Sequence, residues 1–175
     1  MPKPPVKCRH PGMRKHPKEA AEDYLKAIYT LEQQGGAART SALATALGVT
    51  PGSVTDMLKR LGAGRPRLIT YTPHRGAALT ARGRERTIAI VRRHRLIETF
   101  LKEVLGYGWE EVHAEADILE HHVSERFINA LDELLRHPES DPHGDPIPTA
   151  DGQIPETAYV PVDSLTEGVL AVVKR

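Results

Sequence analysis

The segment from Thr40 to Thr80 constrains this chain more than any other. Arg39-Thr40-Ser41 lead into a short apolar-periodic run, Ala42 to Leu47, with Thr40 or Ser41 as its expected N-cap. Gly48-Val49 make a tight turn, and Thr50 then caps a second helix with Pro51 at its favoured first position. That helix, expected over 51–62, turns Val54, Met57, Leu58 and Leu61 inward. Two β-type runs, 68–72 and 77–80, flank Pro73-His74-Arg75-Gly76 and read as a hairpin. Helix, glycine turn, helix and hairpin in that order predict a winged helix-turn-helix. A preceding helix is expected over 19–34, stopped by Gly35-Gly36, and a long helix over 81–105 is capped by Thr80 and ended by Gly106.

A second feature follows at Trp109. His113, Asp117, Glu120 and His121 are spaced i, i+4, i+7, i+8 and share one helix face. They lie beside an apolar stripe of Val112, Ala116, Leu119 and Val123. Carboxylates and imidazoles next to a buried stripe are costly unless paired or metallated, and no Lys or Arg stands among them. His94 and Glu98 form a further i, i+4 pair on the long helix. His122 points away from the cluster, and His10, His16, His74, His137 and His143 read as surface or loop residues. A last helix is expected over 124–136, then a loop rich in Pro, Gly and Asp.

The net charge of +1 is uninformative, but its distribution is not. Residues 58–95 carry Lys59, Arg60, Arg65, Arg67, Arg75, Arg82, Arg84, Arg86, Arg92, Arg93 and Arg95, with Glu85 the only acid. Residues 98–125 are acidic. A basic half suits phosphates and an acidic, His-bearing half suits cations. One Trp, five Tyr and two Phe leave a core of aliphatic residues, which favours helices. The single Cys8 excludes an intramolecular disulfide and a Cys-rich zinc site. No apolar run is of transmembrane length and the N-terminal stretch has no apolar core, so a cytoplasmic chain without membrane contact is expected.

The 51–62 helix is expected to enter a DNA major groove through Thr50, Pro51, Gly52, Ser53, Thr55 and Asp56. Arg39, Thr40, Lys59, Arg60 and the wing's Arg75 are candidates for the backbone. Two other readings stay open: a metal-independent winged-helix regulator with a structural acidic cluster, and a metallohydrolase. The second would need a nucleophile motif, of which there is none, and a substrate pocket, for which the chain has few aromatics.

The motifs A-E-D-Y-L-K-A-I-Y-T-L (21–31), G-V-T-P-G-S-V-T-D-M-L-K-R-L (48–61), L-T-A-R-G-R (79–84), V-R-R-H-R-L-I-E-T-F-L (91–101), V-H-A-E-A-D-I-L-E-H-H-V-S (112–124) and H-G-D-P-I-P (143–148) resemble the diphtheria-toxin-repressor family of iron- and manganese-dependent transcriptional regulators. The resemblance implies a mainly α architecture: a basic arm (1–18), a winged-helix domain (19–83), a helical metal-binding and dimerisation domain (84–140), a linker (141–157) and the start of an SH3-like β-domain (158–175). It implies a primary metal site of Asp23, Asp117, Glu120 and His121, and an ancillary site of His94, Glu98 and His113. It also implies Mn²⁺ or Fe²⁺ as the cofactor, with carboxylates at Asp23 and Asp117 favouring the manganese-sensing branch. Manganese-type members carry a second carboxylate where Lys26 stands, which opposes a closely paired second ion there. The implied partners are an operator in double-stranded DNA and a second copy of the chain. The dimer surface is expected within 84–136, through Leu105, Leu119, Phe127, Ile128 or their neighbours.

Overall fold

The computed structural model describes residues 16–155, which form two compact units dividing between Thr87 and Ile88. The expected start of a β-domain at 158–175, and all but the end of the basic arm, lie outside the described residues.

In the first unit, α1 (Pro17–Gln33) starts two residues earlier than expected. Glu19 accepts the backbone N–H of His16 and the His16 ring accepts that of Lys18, so the helix is capped by a residue read as merely exposed. Next come α2 (Thr40–Leu47) and α3 (Pro51–Ala63). Thr40 is the first residue of α2, not its cap; Arg39 holds the cap position and makes no side-chain capping bond. Gly48 takes the left-handed conformation that the turn needs, with φ of 64°. Thr50 caps α3 by accepting the Ser53 N–H at 3.2 Å. Strands β1 (Ile69–Thr72) and β2 (Gly76–Leu79) pair antiparallel, from Ile69 opposite Leu79 to Thr72 opposite Gly76. Leu25, Ile28, Leu43, Val54, Leu58 and Ile69 are fully buried together in the core of this unit.

Helix α4 (Ala81–Glu103) begins in the first unit and continues into the second. Thr80 caps it: its hydroxyl oxygen accepts the Gly83 N–H at 3.0 Å, and its own N–H donates to the Leu68 carbonyl. The helix start therefore lies against the backbone that enters the wing. At Gly83 a Cβ would stand 1.9 Å from the Leu68 oxygen. Backbone on backbone cannot give way as a flexible side chain would.

The second unit continues with α5 (Trp109–Leu119) and α6 (Glu125–Leu134). Leu96, Ile97, Val112, Ala116, Ile128 and Ile147 fill its core. Ile128, a dimer-surface candidate, is fully buried in that core, and Leu119 is half-buried against it; Leu105 and Phe127 are about half exposed. The helix α5 also ends sooner than its period suggests. Glu120 is the C-cap, and His121 and His122 lie in the following turn. Arg93 holds this turn by donating to the Glu120 carbonyl and the Glu125 carboxylate, and Ser124 caps α6 by accepting the Phe127 N–H.

Gly83→Ala is expected to destabilise the chain by about 1–3 kcal/mol, the usual cost of overpacking. The neighbouring exposed Arg82→Ala should stay within about 0.5 kcal/mol of the parent. Denaturant unfolding followed by circular dichroism measures both.

Candidate metal centre and nucleic-acid interface

The site in the second unit is built from α4, α5, the turn after α5, and the loop after α6. α4 places His94 and Glu98 one turn apart, both buried against the core. α5 presents His113 and Asp117 one turn apart, and its C-cap is Glu120. The Glu120 side chain has no exposed surface and meets His94, with 2.6 Å between Oε2 and Nδ1. A carboxylate only accepts, so Nδ1 donates and carries the proton. This turns His94 Nε2 towards Glu98 Oε1 at 3.0 Å and His113 Nδ1 at 3.2 Å. His113 Nδ1 stands 3.0 Å from the same Glu98 oxygen. Three donor-type atoms thus form a triangle with nearly equal edges. Octahedral neighbours on an ion with bonds of about 2.1 Å are about 3.0 Å apart, so the residues fit a first-row divalent cation. Asp117 adds a carboxylate at 3.5 Å from His94 and 3.7 Å from His113.

The structure brings His94, Glu98 and His113 together at the Nε2 side of His94, and Asp117 and Glu120 both meet that ring at Nδ1. The single helix face expected for all of α5 does not hold, because Glu120 and His121 leave the helix. His121 is nonetheless almost fully buried, its Nε2 3.6 Å from Glu120 Oε1. Asp23 is half-buried on α1 of the first unit.

Electrostatics in the metal-free chain follow from this packing. Burial pushes the Glu98 carboxyl up, but hydrogen bonds from His113 and His94, helped by their charge, bring it down to about 2. The same bond raises His113 above its ordinary value, against the opposing effect of burial. Two residues of the loop after α6 complete the surroundings. The buried Asp141 accepts the N–H groups of His143 and Asp145, and His143 Nδ1 reaches to 3.8 Å from Glu98 Oε2. Sequence reasoning placed both in a linker, and His143 among surface residues. Only the H-G-D-P-I-P motif marked the place.

In the first unit, a groove between α2, α3 and the wing is lined by Arg39, Thr40, Pro51, Thr55, Lys59 and His74. Five of these were expected as DNA contacts, and His74, at the wing tip with φ of 64°, was not. Gly52, Ser53, Asp56 and Arg60 are exposed on α3, and Arg75 is exposed on the wing. Thr50 is exposed too, but its oxygen is engaged in capping.

Residues 18–77 match the family model described as iron dependent repressor, N-terminal DNA binding domain, and residues 80–149 match that of the metal binding and dimerisation domain. The chain is 36% identical over 120 residues to the HTH-type transcriptional regulator MntR of Bacillus subtilis, covering 69% of this chain and 82% of that one. It is 38% identical over 130 residues to the iron-dependent repressor IdeR of Mycobacterium tuberculosis, covering 74% of this chain and 56% of IdeR. A solved manganese-dependent transcriptional repressor in complex with manganese is 44% identical, with a TM-score of 0.72 over 79% of this chain and 63% of that chain. The protein belongs to the iron-dependent repressor family, the diphtheria-toxin-repressor family that its motifs resemble. It spans little more than half the length of the IdeR relatives.

Stabilisation from the Glu98 carboxylate is present in full above its ordinary value of 4.5 and is lost as pH falls towards 2. The His113 contribution has the opposite sense: present below 6.5 and lost as pH rises through its raised value. In chelator-treated protein, the melting temperature should therefore fall between pH 4.5 and 2. Glu98→Gln should flatten that slope. An identical slope in the variant contradicts the assignment.

Proposed function

We propose that this protein is a metal-dependent DNA-binding regulator that represses metal-uptake genes when Mn²⁺ or Fe²⁺ is bound. It is not an enzyme, and it acts in the cytoplasm as a homodimer on an operator in double-stranded DNA. The observation that carries this reading is the His94–Glu98–His113 triangle, with His94 and Glu98 buried, His113 at the surface and Glu120 behind it, in a chain whose other unit is a winged helix.

In this reading His94, Glu98 and His113 hold an ancillary ion. Asp117, Glu120 and His121, together with Asp23 of the winged-helix unit, hold the primary one. A bound divalent cation would supply the positive charge that lets these carboxylates lie together. His94 fixes the Glu120 carboxylate through its Nδ1–H bond, as outer partners orient metal ligands elsewhere. Oxygen donors at Asp23 and Asp117 favour a hard ion, which supports Mn²⁺. Ligands drawn from both units make their relative orientation depend on metal. In a two-fold dimer that orientation sets whether two recognition helices meet major grooves about 34 Å apart. Metal then shifts the chain towards a DNA-competent state already in its ensemble. Arg39, Thr40, Thr50, Pro51, Gly52, Ser53, Thr55, Asp56, Lys59, Arg60 and the wing's Arg75 make the DNA contact, and the exposed Leu105 and Phe127 belong to the dimer surface.

The test is binding to the promoters of the protein's own gene and of metal transporters, at fixed salt, with Mn²⁺, anaerobic Fe²⁺ or Zn²⁺ added to chelated protein. Affinity should rise at least tenfold with Mn²⁺ or Fe²⁺. Asp23→Ala and Glu120→Ala should each remove that rise. Tight binding indifferent to all three metals and to chelator would leave a metal-independent winged-helix regulator.

A further inference from the structure

Among the residues lining the groove between α2, α3 and the wing, His74 is the only histidine. Histidine is the side chain that ordinarily changes charge between about pH 5 and 8. The backbone delivers it to the groove. Arg75 N–H donates to the Thr72 carbonyl at 3.1 Å and closes a turn with Pro73 second and His74 third. The third residue takes φ of 64°, a position where proline-led turns usually carry Gly or Asn. Histidine tolerates that backbone better than most side chains, and here it brings two ring nitrogens that glycine lacks. Past the turn, Ala77 N–H donates to the Ala38 carbonyl at 3.0 Å, and a Cβ on Gly76 would stand 2.8 Å from the same oxygen. β2 is thus pressed against the chain leading into α2, and the tip shares one groove with Arg39 and Thr40.

The groove is cationic. Arg39 comes from the lead-in to α2 and Lys59 from α3, while the wing supplies Tyr71 and His74. Arg75 is exposed beside His74, and Asp56 and Arg60 are exposed on α3 without lining the groove. No carboxylate is among the lining residues, so no anion of the groove itself competes for the ring. DNA brings closely spaced phosphates to such a surface. A phosphate beside an imidazole favours its protonated form, which donates from both nitrogens and bonds more strongly for carrying charge.

We propose that His74 is a phosphate-binding residue of the DNA interface and takes up a proton as the duplex binds. Arg39 and Lys59 bring constant charge to the same groove, and His74 adds one contact that depends on pH. The inference rests on the reading of this unit as DNA-binding. Linkage then requires DNA affinity to fall as pH rises through the range in which the ring loses its proton. This dependence is separate from the metal centre, whose ligands are other residues.

The test uses the full chain kept saturated with Mn²⁺ and the promoter duplex that responds to metal, with affinity measured at several salt concentrations and pH values. His74→Asn removes the charge and suits the left-handed backbone, so it spares the turn. His74→Arg keeps a charge at every pH. Any pH dependence of metal loading is common to parent and variants and cancels in their ratio. Relative to His74→Asn, the parent should lose about fivefold or more in affinity between about pH 6 and 8, as one linked proton requires. Near the lower pH its log–log salt slope should be steeper than that of His74→Asn by about 0.9, the value of one phosphate contact. Near the upper pH the two slopes should coincide, while His74→Arg should stay steep throughout. A parent that matches His74→Asn in both pH and salt dependence would overturn this contact while leaving the metal-dependent regulator intact. A parent chain that does not bind the duplex at all would overturn both.

Discussion

The second unit is organised by one imidazole between two buried carboxylates. His94 donates from Nδ1 to Glu120 and turns Nε2 towards Glu98, so each of these two buried polar groups has a partner in that core. Removing the ring would leave uncompensated acids, so the arrangement cannot be relaxed one residue at a time. Much of the neighbouring structure serves it. Arg93 pins the turn that carries Glu120, and Ser124 restarts the chain as α6 immediately afterwards. The Asp141 turn and Ile147 bring the loop after α6 back over Glu98.

This arrangement explains why the unit is legible as a cation binder. In the metal-free chain, the positive charge that Glu98 needs comes from protons on His113 and His94, and a cation held by these three side chains would displace those protons. Protons and metal therefore compete for the same donors. Metal uptake at this site would release protons, as is general where ligands must be deprotonated.

The elements most legible in the sequence are those decided locally. Thr50 and Pro51 mark the start of α3 because capping is a matter of a few neighbouring residues, and the wing follows from β-type runs around a Pro/Gly turn. The pairs His94/Glu98 and His113/Asp117 were legible because each spans one helical turn. The failures have tertiary causes. The period of α5 runs on through His121, but Arg93 and Ser124 end the helix at Leu119, so Glu120 and His121 reach the site from a turn. Ile128 looks like a surface residue until the return of Ile147 shows which face of α6 is covered. Asp141 and His143 carry no period at all, being placed by a turn and a long return of the chain. The reason for Gly83 becomes visible only where α4 meets the Leu68 carbonyl.

The claim at the centre of this account is that metal and DNA stabilise one and the same state of the chain. Thermodynamic linkage makes that measurable without choosing a mechanism. The decisive quantity is the Mn²⁺ dissociation constant of the chain, free and saturated with operator DNA, set beside the DNA dissociation constant with and without Mn²⁺. The account predicts that operator tightens Mn²⁺ binding by the same factor by which Mn²⁺ tightens operator binding. A Mn²⁺ affinity unchanged by saturating operator would contradict it.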